Sequence, residues 1–180
     1  TRFVPPPDPA EPVPVFLLDH GRHASLVLPH GDSGLVRYAY GDWAYYARNR
    51  TGAWHGLRAL LWPTPAALGR RHLPGPAAAG RVRRSVAVVI RELHVLTVPA
   101  PRVAALRRRL AGRFEAASAR RDNHLYDLTF VRLDETYWLG ANSNQRVAAW
   151  LAELGVAVSG GGLRSAWRVT GPARAAQGGP

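Results

Sequence analysis

The sequence predicts an α+β domain in which an antiparallel sheet is flanked by helices, and three observations carry that expectation. Residues 15–40 hold three short strand patterns separated only by turns, too close together for the crossover that parallel strands need. Residues 99–118 and 142–154 each carry a single apolar stripe at helical spacing. Between those helices, residues 125–133 return to the alternation of a strand.

Taken in order, residues 1–14 hold Pro5, Pro6, Pro7, Pro9, Pro12 and Pro14 and read as an extended, stiff arm. Residues 15–19 and 24–28 are apolar strands around a break at Gly21, the second ended by Pro29. A loop with Gly31, Asp32 and Gly34 leads into residues 35–40. There Val36, Tyr38 and Tyr40 alternate with Arg37 and Ala39, the period of a half-buried strand. Residues 43–50 and 53–62 read as short aromatic-rich helices, the latter stopped by Pro63 and Pro65.

Residues 68–84 are rich in Gly, Pro and Arg and read as an exposed loop or linker. Residues 85–98 are β-branched and read as one long strand. In the helix that follows, Val103, Leu106, Leu110 and Phe114 form the buried stripe, and Arg102, Arg107, Arg108, Arg109 and Arg113 cover the remainder. The helix over 142–154 lines up Val147, Trp150, Leu151 and Leu154 and stops at Gly155. Residues 163–169 suit an edge strand, and the tail over 171–180 should be loose. The expected organisation is an arm over 1–14, one α+β domain over 15–170 and that tail.

Composition narrows the function classes. With 180 residues and 47% hydrophobic content the chain can bury a core. No apolar run approaches the length of a transmembrane helix. Cysteine is absent, which excludes disulfides, thiolate metal sites and a thiol nucleophile. No Met occurs even at position 1, as removal of a signal peptide or anchor would leave it. The net charge is +12, and all 24 basic residues are Arg. A solvated basic surface is the commoner reading of such a charge; as a partner it favours an anionic envelope component or a membrane surface ahead of nucleic acid. Oligomeric state is not readable.

Candidate chemistry gathers at two places. Asn142 with Gln145 fits a capping box, which puts Ser143 in the first helical turn among free N–H groups able to hold an oxyanion. A cap alone is the commoner use of such residues. His20 and His23 flank the Gly21 turn, with His30 and Asp32 nearby. That spacing supplies no fixed pair and no third ligand, so neither a metal nor a cofactor is expected.

Residues His20-Gly-Arg-His-Ala-Ser-Leu-Val-Leu-Pro29, then Tyr40-Gly-Asp-Trp43 with Tyr45 and Tyr46, then Asn142-Ser-Asn144 opening a helix, occur in that order. Together they resemble an uncharacterised bacterial envelope family first noticed encoded near urease operons. Its members carry a His-Gly-Trp-His-Thr strand motif and a Thr-Cys-Asn helix start, and typically follow a signal or lipid anchor. That order is similar to circularly permuted papain-like folds, which include NlpC-type cell-wall hydrolases and lecithin:retinol acyltransferase.

The resemblance implies a permuted papain-like arrangement in the bacterial envelope. It implies His23 as general base, Ser143 in the nucleophile's place, and Asp42 or Tyr40 orienting the imidazole, with Asn144 retained. The sequence departs from the motif at Arg22, Ala24 and Ser143. A thiol can ionise before substrate arrives, whereas a serine must pass its proton to a close, aligned base during attack. Two expectations follow. One is a non-catalytic domain binding an anionic envelope ligand; the alternative is a serine-dependent amide or acyl hydrolase or acyltransferase.

Overall fold

The computed structural model describes residues 1–21, 23–31, 34–47, 64–137, 142–160 and 167–171. Its strands are β1 (Arg2–Val4), β2 (Pro12–Asp19), β3 (Ala24–His30), β4 (Gly34–Asp42), β5 (Thr64–Pro74), β6 (Glu92–Pro99), β7 (Arg120–Asn123), β8 (Leu128–Tyr137), β9 (Ala157–Ser159) and β10 (Arg168–Val169). Its helices are α1 (Trp43–Ala47), α2 (Ala79–Ser85), α3 (Ala100–Ala116) and α4 (Ser143–Glu153). The predicted helix over 53–62 lies outside the described residues.

The α+β class holds. Seven strands form one antiparallel sheet in the order β6-β2-β3-β4-β5-β8-β7, and β10-β1-β9 form a smaller one. The hairpins β2–β3 and β3–β4 arise where glycine allows a sharp reversal: Gly21 (φ 95°) and Gly31 (φ 63°) both adopt a left-handed backbone. No helix of the described residues is long and apolar enough to cross a membrane.

Both faces of the large sheet are covered, which changes the reading of β4. Its alternation does not separate a dry side from a wet one, because residues 35–42 are all buried. One face, bearing Leu26, Tyr38 and Tyr40, packs under α3, α4 and the small sheet, with Leu106, Phe114 and Trp150 in the same core. The other face is covered in two parts. Val82 and Val86 sit over Phe16, Leu18, Val27 and Leu35, and the aromatic cluster of Tyr46 and Phe130 sits over Ala39 and Ala67.

The two long helices follow their sequence signals. In α3, Pro99 is the N-cap and Val103, Leu106, Leu110 and Phe114 are buried. In α4 the capping box is complete: Asn142 Oδ1 accepts from the Gln145 N–H at 3.0 Å, and Gln145 Oε1 accepts from the Asn142 N–H at 3.3 Å. Gly155, at φ 90°, follows the C-cap.

Four stretches differ from expectation. Residues 68–84 are not a loop: β5 runs through Pro74 near the centre of the sheet, and α2 follows. Gly69, a strand breaker by propensity, serves here because the Phe130 ring lies against it; an added Cβ would stand 2.6 Å from that ring. Pairing on both sides overrides the weak β-propensity of Ala66, Ala67, Gly69 and Arg70.

The β-branched run from residue 85 enters the sheet only at Glu92. Residues 86–90 instead lay Val86, Val88 and Ile90 on the sheet face, so their apolar character serves packing without strand pairing. The strand predicted from residue 125 begins at Leu128, after a turn in which Asp127 takes φ 56°. The proline-rich arm is extended, but it docks: Phe3 is fully buried and stacks on Trp167 at 5.1 Å. Pro12 and Pro14 belong to β2, in the half that pairs with β6 alone, where a missing N–H on the other side costs no ladder bond.

Candidate functional site

Antiparallel pairing brings the start of β3, the end of β4, the start of β5 and the end of β8 to one end of the large sheet. All three expected site residues lie at that end, but the pleat and the helices distribute them over opposite faces.

On the α4 face, alternation along β4 puts Asp42 with Tyr40, and alternation along β8 puts Tyr137 with Leu133. Ser143 opens α4 and is buried, as is Asn144. The group beside Ser143 is the Tyr137 phenol. Burial pushes that phenol's pKa up and the nearby Asp42 carboxylate adds to the shift, while the Ser143 N–H and hydroxyl pull against it. Tyr137 therefore stays protonated at neutral pH and can donate, but does not serve as a base.

Asp42 is committed elsewhere. Its Oδ1 accepts the Tyr45 backbone N–H at 2.5 Å, the bond of an N-cap for α1, and its Oδ2 accepts the Thr64 hydroxyl. Tyr40 turns toward α4: its hydroxyl accepts from Arg146 at 3.5 Å, and the guanidinium stands 4.8 Å from the ring centroid. Burial holds the Tyr40 phenol up at about 12. Arg146 is itself anchored by Glu135 at 3.1 Å.

His23 lies on the other face. Its ring stacks on His20 at 5.0 Å and meets the edges of Tyr126 at 5.6 Å and Tyr46 at 6.1 Å. Tyr46 belongs to the cluster over Ala39 and Ala67, on the far side from α4. Among the described residues, His23 forms no hydrogen bond with Ser143, Asp42 or Tyr40, so the expected relay is not assembled.

What surrounds His23 is a polar network built on Arg37. This residue is fully buried, with Nε donating to Ser25 Oγ at 3.0 Å and Nη1 donating to the Tyr126 carbonyl at 3.1 Å. His20 Nδ1 is 2.8 Å from the Val89 carbonyl, so that nitrogen carries the proton. Its Nε2 is then the acceptor facing Ser25 Oγ at 2.9 Å and Arg37 Nη2 at 3.3 Å. Burial first, and the Arg37 charge second, hold His20 down to about 3 and His23 to about 4. Burial likewise lowers Arg37 to about 10, which leaves it charged at neutral pH. Both histidines are neutral there.

The sequence carries one signal for this network. Arg37 interrupts the apolar and aromatic run over residues 35–40 of β4, and a charge inside a covered strand needs partners. Tyr137 was legible from the same alternation that placed Tyr40, since it continues the even spacing of β8.

The remaining features do not add to a relay. A cavity of about 440 Å³ lies farther along β5, lined by Arg70, Arg71, His72, Arg120, His124 and Asp127 among others. Its cations are already paired: Arg71 with Asp127, and both Arg70 (2.7 Å) and Arg120 (3.2 Å) with Glu115. His30 stands edge-on to His72 at 5.0 Å, away from His20 and His23. Among the described residues no three His, Asp or Glu side chains gather as metal ligands would. No protein-family profile, no curated protein and no solved structure matches the chain.

Proposed function

We propose that the chain is a papain-like domain of the bacterial envelope that holds an anionic envelope ligand and has lost catalysis. The observation that carries the loss is the division of His23 from Ser143 by the sheet. A serine hydroxyl needs a base within hydrogen-bonding reach when it attacks. Among the described residues, the partner of Ser143 is a phenol that stays protonated, and the carboxylate near that phenol is already occupied by Tyr45 and Thr64. The family resemblance in motif order supports the papain-like arrangement and the envelope location. The net charge of +12 supports an anionic partner.

A serine-directed fluorophosphonate probe tests the catalytic half. Ser143 is expected to remain unlabelled, with no difference between the protein and its Ser143→Ala variant. Labelling of Ser143 that disappears in His23→Phe would restore the serine-hydrolase alternative. Retention on anionic envelope polymers tests the binding half. Retention should weaken as salt rises, and binding that ignores salt would contradict a charge-led contact.

A further inference from the structure

We infer that the β2–β3 hairpin holds a single oxyanion, a carboxylate or phosphate group, at the His23 ring beside the buried guanidinium of Arg37. This deepens the reading above by naming a site for the ligand's charged group, and it rests on that reading for the sign of the ligand's charge.

The starting observation is a missing counter-charge. Arg37 is 0% exposed, yet its three hydrogen bonds go to a hydroxyl, a backbone carbonyl and a neutral imidazole. Among the described residues it makes no ion pair. The charged side chain that most perturbs it is Arg71, also a cation. Asp127, the acid next in sequence to Tyr126, is taken by Arg71 and by the Ala87 N–H. A buried cation is ordinarily compensated by an acid, because desolvation costs several kcal/mol per ion. The protein supplies hydrogen bonds here and leaves the charge unmatched.

The second observation locates where an anion would sit. His20 has both ring nitrogens engaged, with Val89 on one side and Ser25 and Arg37 on the other. His23 does not: it is only partly buried and is held through its ring faces and edges by His20, Tyr46 and Tyr126. Its ring is neutral, so one nitrogen carries a proton free to donate. Donation to an oxyanion would place negative charge within the field of Arg37 without opening the His20–Ser25–Arg37 network. In a low-dielectric setting such a pairing is worth more than at the surface.

Titration of ¹⁵N-labelled protein at pH 7 with acetate, with inorganic phosphate and with chloride at matched ionic strength tests the site. Saturable shifts of the His23 ring nitrogens and the Arg37 Nε–H are expected, with no comparable change at His72 or His124 and none with chloride. Saturation by acetate alone identifies a carboxylate ligand, and by phosphate alone a phosphate; either supports the site. Arg37→Met should abolish saturation. Because that variant removes a buried network, His23→Phe, which keeps the ring packing, is the second probe. It should weaken the midpoint about tenfold, the loss of one charge-assisted hydrogen bond. Shifts that never saturate, or that are equal at every histidine, would overturn the site. Saturation with no retention on envelope polymers would overturn only the broader function, and retention without saturation only the site.

Discussion

The two faces at one end of the large sheet solve the problem of buried polar groups in different ways. On the α4 face the cations are matched by an acid, Glu135 holding both Arg113 and Arg146, while the Asp42 carboxylate is satisfied by the α1 N-terminus and the Thr64 hydroxyl. On the opposite face, Arg37 is buried among neutral partners, and two histidines beside it are kept uncharged. Ser143 belongs to the first environment and His23 to the second. The matched face is equipped for stability and the unmatched face for taking up a charge from outside. A catalytic pair would need one residue from each.

The sharpest way to break that comparison is to restore the thiol. If Ser143→Cys lies apart from His23, its alkylation by iodoacetamide should follow an ordinary thiol, falling roughly 500-fold between pH 8.5 and pH 5.5. A rate that stays high at pH 5.5 and is lost when His23→Phe is added would mean an imidazolium–thiolate pair and would join the two faces into one site.

The next effect concerns how the unmatched face is built. Gly41 lies directly beneath the Tyr46 ring, which an added Cβ would overlap, and Tyr46 stacks on Phe130 at 4.9 Å. Gly41→Ala should therefore cost about 3 kcal/mol, read from the urea midpoint at constant slope. The exposed Gly112, with nothing near its Cβ position, should accept alanine with a small gain as a helix interior residue. Equal responses at the two glycines would contradict the tight packing over Ala39 and Ala67.

The histidines supply a pH test with a definite sign. Their pKa values are lowered in the folded state to about 3 for His20 and about 4 for His23, from about 6.5 when unfolded. Above pH 6.5 both states are neutral and pH has no leverage through them. Below it the unfolded chain binds protons that the folded chain refuses, so stability falls as pH drops toward 4. Each histidine contributes up to about 1.4 kcal/mol per pH unit in that window. Comparing the pH dependence of unfolding with that of His23→Phe isolates one share. An unchanged slope would show that His23 is not held neutral.

The smallest effect belongs to the matched face. Asn142→Ala removes one half of the α4 capping box and should cost about 1 kcal/mol in unfolding free energy, without moving the His23 resonances. A shift at His23 in that variant would tie the helix start to the opposite face.

Much of this architecture was legible because it depends on local periodicity. The stripes of α3 and α4, the box at Asn142 and Gln145, and the alternation of β4 each follow from side-chain direction along one element. The failures have a common cause. Residues 68–74 lack strand propensity and become a strand because β4 and β8 flank them. Residues 86–90 have the propensity and miss the sheet because their side chains pack onto its face. For the site, the family resemblance paired His23 with Ser143, but the sequence could not show on which side of the sheet each ring or hydroxyl would lie.

By itself, then, the sequence determined the α+β class, the antiparallel hairpins, two helices and their caps, and a strongly basic surface, since composition, turn residues and spacing act within a few residues of one another. Only the tertiary structure decided which faces were covered, which acids were already spent, and that His23 and Ser143 share no hydrogen bond. Those are long-range outcomes: a one-residue change in which way a strand residue points moves a side chain to the other side of a sheet whose two faces are closed by different parts of the chain.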